Sequence, residues 1–228
     1  MSDNLYTLNG GTLVSATERN KVLRNTYSLL ALSLLPTVAG AWIGISTGIT
    51  AQLTGFLGLL VFMGGAFGFM YAIERTKNSA SGVAVLLGFT FFMGLMLSRM
   101  LAAVLGMKNG TDLVMTAFAG TAGVFVVMSV LASTIKRSLE GMGQWLMVGS
   151  IALLIGAVVN VFIGSSTGML VISVMATGIF SLFMLYDLKR IVDGGETNYI
   201  SATLALYLDL FNIFQSLLAI LGLTNGDD

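Results

Sequence analysis

The 228-residue chain contains no cysteine and no histidine. Thiol chemistry, disulfides and the usual ligands of zinc and haem are therefore excluded. A Ser-His-Asp or Cys-His triad is excluded for the same reason. Proline occurs once, as Pro36. Charge is scarce as well: Asp, Glu, Lys and Arg make up 10% of the residues, where a soluble domain carries about 25%. A soluble protein of this size could not cover its surface with so few charges. Lys+Arg and Asp+Glu number 11 each, with no basic cluster, which argues against nucleic-acid binding.

Apolar residues fill the space that charge leaves. They form 56% of the chain, and the mean hydropathy is +0.91. The bilayer is therefore the main solvent. A span needs roughly 20 mostly apolar residues, and seven such runs are readable, near 25–47, 52–73, 79–98, 111–135, 142–163, 167–187 and 199–222. This predicts an all-α membrane protein with seven transmembrane helices. Residues 1–24 read as a polar cytoplasmic tail without the apolar core of a signal peptide. Residues 25–222 form the transmembrane domain, and 223–228 a short external tail. The very short links at 48–51 and 164–166 require antiparallel hairpins, and Pro36 is expected to kink the first span. Twenty-eight glycines suit close helix packing in lipid, with Gly64-xxx-Gly68 the expected packing face.

Nine of the eleven bases fall on one side of these spans: Arg19, Lys21, Arg24, Arg75, Lys77, Lys136, Arg137, Lys189 and Arg190. Only Arg99 and Lys108 fall on the other. The positive-inside rule then puts the N-terminus in the cytoplasm and the C-terminus outside.

A charge within a span costs about 2.5–3.5 kcal/mol on insertion scales, so each one needs a reason. Asp209 lies in Leu206-Tyr207-Leu208-Asp209-Leu210-Phe211, ten residues from Tyr199 and about 15 Å deep at 1.5 Å per residue. Ala202 and Ala205 precede it and Asn212 and Ser216 follow it on one small, polar helix face, expected to look into the bundle. Asp209 is either a functional acid or a structural buried carboxyl. Asp187, in Leu185-Tyr186-Asp187-Leu188-Lys189-Arg190, reads locally as an interfacial acid beside two bases. If its helix continues to Val192 it lies about 8 Å deep and comes within reach of Asp209. Arg75 and Arg99 are the candidate basic partners, with snorkelling to the interface as the simpler reading. Thr197 or Asn198 is the candidate N-cap of the last helix.

Gly194-Gly195-Glu196-Thr197-Asn198-Tyr199-Ile200, continued as SATLALYLDLFNIFQSLLAILG, resembles the C-terminal signature of the Bax inhibitor transmembrane family. It is most similar to the bacterial YccA-like branch. Lys21-Val22-Leu23-Arg24-Asn25-Thr26-Tyr27 resembles the same branch. The resemblance implies a last helix central within a bundle of six, in a bacterial inner (plasma) membrane. It further implies a pH-sensitive calcium leak through a carboxylate pair, whose matching positions here are Asp187 and Asp209. It also implies an alternative role as a modulator of the membrane-bound AAA protease FtsH through protein contact. Hard oxygen ligands suit calcium, and two acids would bind it weakly, as a transported ion and not as a cofactor. An enzyme is not expected: the Gly-x-Gly-Asp context of intramembrane aspartyl proteases is absent around both acids.

Overall fold

The computed structural model describes residues 16–225. The described residues form seven helices: α1 Ala16–Thr47, α2 Gly55–Thr76, α3 Ala80–Leu105, α4 Gly110–Thr134, α5 Met142–Ile163, α6 Ser166–Val192 and α7 Tyr199–Asn225. All seven are long and apolar enough to cross a membrane, and no strand occurs among the described residues. The chain is a multi-pass membrane protein. Residues 1–15 of the expected tail, and 226–228 at the other end, lie outside the described residues. The expected boundary at residue 24 falls within α1, which begins nine residues before the first apolar run.

Local chemistry explains where helices stop. α6 ends in a Schellman motif: Gly194 takes the left-handed conformation at φ 82°. The Gly195 N–H then donates to the Arg190 carbonyl at 2.9 Å, and the Gly194 N–H to Ile191 at 3.1 Å. Glycine is required there because a Cβ penalises that backbone conformation. Asn198 caps α7, its Oδ1 accepting from the N–H groups of Ile200 at 2.9 Å and Ser201 at 3.0 Å. Of the two candidate caps it is Asn198 that binds the free amides.

The closest helix approach joins α1 to α3. A Cβ on Gly94 would run into the Thr37 carbonyl, and one on Gly40 into the Phe91 carbonyl. The expected packing face at Gly64 and Gly68 is not used: both are exposed, and a Cβ at either would meet nothing within 4 Å. On α2 it is Gly65 that packs, under the Phe92 ring. Small residues permit close packing, but spacing alone does not say which helix face has a neighbour.

α7 is the most deeply buried span. It packs on α6, α4, α1, α3 and α2, whereas α5 lies outside against α6 and α2. Polar ties hold it in place. Tyr207 OH meets Thr37 Oγ1 at 2.9 Å, and Thr203 Oγ1 lies 3.3 Å from the Thr26 carbonyl. The two ends of the bundle are chemically distinct. At one end Arg19 donates to the Val192 carbonyl at 3.2 Å, and Asn198 Nδ2 donates to the Lys77 carbonyl at 3.0 Å. At the other, Thr50 and Ser98 share a hydrogen bond of 2.7 Å, and Arg99 donates to the Leu53 carbonyl. The nine bases gather at the first end.

Candidate functional site

α6 continues to Val192, so Asp187 lies within the helix, more than a turn from its end. α7 carries Asp209 almost fully buried, with 4% of its surface exposed. The two carboxyls are neighbours across the α6–α7 contact. A hydrogen bond between them would need a shared proton, because two carboxylates can only accept. Asp209 Oδ2 is buried without a hydrogen-bond partner. An unpartnered buried carboxylate oxygen is costly, so the position is a natural place for a proton, a water or a cation.

Asp187 also lines a cavity of about 160 Å³, together with Arg190, Ile191, Glu196, Ser201, Ala202 and Ala205. The polar lining and size suit a few water molecules. It lies at the end of the bundle where the bases gather. Small residues of α7 make the room: Ala202 and Ala205 precede Asp209 by seven and four residues, on the same helix face.

The basic partner is not where the sequence suggested. Arg75 is exposed, stacked on the Tyr71 ring at 5.1 Å and donating to Tyr71 OH at 3.1 Å. Arg99 is at the opposite end of the bundle, on the Leu53 carbonyl. Each reaches a nearby interfacial acceptor, as long basic side chains near span ends do. The cation beside Asp187 is Arg190, one turn along the same helix. Its Nη2 lies 3.4 Å from Glu196 Oε2. The i, i+3 spacing of Asp187 and Arg190 was the signal available in the sequence; nothing marked Glu196. Ser216 is buried, while the Asn212 amide turns back on its own helix, donating to the Leu208 carbonyl at 2.7 Å. Neither hydrogen-bonds to the acids among the described residues. Beyond Asp209, α7 continues with Ile213 and Leu218, both fully buried.

A family model described as inhibitor of apoptosis-promoting Bax1 matches residues 19–226. The chain belongs to this Bax inhibitor family. It is 38% identical over 208 residues to the modulator of FtsH protease YccA of Escherichia coli K12, covering 91% of this chain and 92% of that one. A membrane protein of Vibrio cholerae is 38% identical over 212 residues, 92% of this chain and 93% of its own. A protein of Pseudomonas aeruginosa is 34% identical over the full length of both. Family membership thus rests on nearly the whole length of the membrane domain, not on the C-terminal signature alone.

Proposed function

We propose that this Bax inhibitor family protein lets cations, calcium foremost, leak down their gradient across a bacterial inner membrane under the control of pH, through Asp187 and Asp209. One observation carries the reading: Asp209, buried with an unbonded Oδ2, adjoins an acid that lines an open cavity. Calcium takes about 6–8 oxygen ligands, more than two carboxylates can offer. Binding at the pair would be weak, which suits passage and not storage. Protonation alters the contact between α6 and α7, and a buried charge change of this kind can bias a two-state element. The gathering of nine bases at one end orients that end to the cytoplasm, so the cavity opens inward and α7 ends outside. The test is purified protein in liposomes loaded with a calcium dye and scanned over pH. pH-dependent flux supports the reading; no flux at any pH refutes it.

A second reading is favoured by the Escherichia coli relative, whose name is modulator of FtsH protease. On this reading the chain restrains a membrane-bound AAA protease by contact, without catalysis of its own. Terminal segments are preferred points of proteolytic attack. Deleting residues 1–15 should lengthen the cellular lifetime of the protein in protease-positive cells. Equal lifetimes with and without the segment would count against a grip on the N-terminus.

A further inference from the structure

Arg190 stands between two acids. Its backbone is fixed, the carbonyl accepting from the N–H groups of Gly195 at 2.9 Å and Glu196 at 3.3 Å. Its side chain is about half exposed, and Glu196 Oε2 lies 3.4 Å from Nη2. On its other side Asp187 shares the same cavity lining. Glu196 is itself positioned: its Oε1 accepts from the Asn198 N–H at 2.9 Å. Asn198 in turn donates to the Lys77 carbonyl and to Asn78 Oδ1, at 3.0 and 2.9 Å. One guanidinium thus pairs with the acid on the turn before α7 while lining the same cavity as Asp187, and that turn is tied to the α2–α3 link.

We propose that Glu196 holds Arg190 aside from Asp187 and keeps the cavity open, and that an Arg190 released by Glu196 folds onto Asp187 and closes it. Among the described residues, the charged groups that bear on Asp187 are Arg190, Asp209 and Glu196. Of these only Arg190 is a cation. A guanidinium resting on Asp187 would therefore take the place that a cation in transit must occupy. Freed of Glu196, the guanidinium can turn to Asp187 in the same cavity, where a bidentate contact is strong. Glu140 and Asp193, which line a second cavity with Arg190, are the competing acids, and only the turn to Asp187 closes the cavity. The tether through Asn198 makes the α2–α3 link a handle on this arrangement, because displacing the link displaces the turn that carries Glu196. As a statement about ion passage this rests on the proposed leak; as a statement about access to the cavity it does not.

The chain has no cysteine of its own, so a single introduced thiol reports on the cavity without background. Ala205→Cys places it in the lining. The probe is methyl methanethiosulfonate, which is neutral, applied to protein in membrane vesicles. Glu196→Gln should slow modification roughly fivefold, as the closed arrangement becomes the dominant population. Adding Arg190→Gln should restore the original rate. Removing a negative charge by itself favours the reactive thiolate and speeds modification, so slowing isolates occlusion. Should Glu196→Gln not accumulate, Glu196→Asp, too short to hold Arg190, should slow the reaction in the same way. An unchanged or faster rate on releasing Arg190, or a double variant that stays slow, would overturn the proposal. Liposome flux separates the two ideas. Wild-type protein without flux but with this modification pattern loses the leak and keeps the gate. Flux with indifferent modification keeps the leak and loses the gate.

Discussion

Tyr207 OH of α7 and Thr37 Oγ1 of α1 share a hydrogen bond of 2.9 Å. Each hydroxyl also has a carbonyl acceptor, Ser33 for Thr37 at 2.9 Å and Thr90 for Tyr207 at 3.4 Å, so either can donate to the other. Tyr207 is 1% exposed, so no water can replace the contact. Tyr207→Phe should lower stability by about 0.6 kcal/mol, and by no more than about 1.7, the range for interhelical hydrogen bonds in a membrane. Thr37→Val should show nearly the same loss, and the double variant little more, because the two share one interaction. Denaturant titration in detergent micelles measures all three. Additive losses would show that the hydrogen bond is not the source.

The acid pair predicts a pattern in pH profiles. Asp209→Asn keeps the shape of the side chain and removes its titration, so any pH dependence of flux should flatten. Asp187→Asn should flatten it likewise, and the double variant should add little, since interacting groups titrate as one unit. Arg75→Gln and Arg99→Gln should leave the profile unchanged, because neither side chain is near the pair. Wild-type profiles in both acid variants would make the pair structural.

Glycine positions separate packing from composition. Gly94→Ala sets a methyl group against the Thr37 carbonyl and should cost about 1–3 kcal/mol, as overpacking does. Gly68→Ala meets nothing. It should be neutral, or stabilising by up to about 1 kcal/mol from helix propensity. Thermal unfolding of the two single variants in one detergent decides it; equal effects would contradict the α1–α3 contact.

Orientation gives a binary test. With seven spans and nine bases at the end where α1 begins, a C-terminal alkaline phosphatase fusion should be active. A C-terminal fluorescent protein that fails to mature outside should stay dark. A bright fusion would reverse the assignment.

The sequence by itself determined the solvent, the number of spans and the buried acid. Seven apolar runs of about 20 residues have few other stable solutions, because backbone polar groups in lipid must be satisfied within each segment. Asp209 was legible because a charge amid Leu, Tyr and Phe has no simpler home than the bundle interior. The turn at Gly194 was legible, and the cap of α7 was legible as Thr197 or Asn198, since both act on neighbours in the chain; the structure selects Asn198. Tertiary structure decided the rest. That Asp187 meets Asp209 depends on how α6 and α7 are rotated against one another. Of the two bases after Asp187, Arg190 alone has the i, i+3 spacing that shares its helix face, and the packed bundle bears this out: Lys189 turns to Asp193 at 2.6 Å while Arg190 lines the cavity with Asp187. Gly64 and Gly68 had the right spacing but no neighbour, whereas Gly94 had one. Periodicity assigns a residue to a helix face; only the packed bundle determines what that face touches.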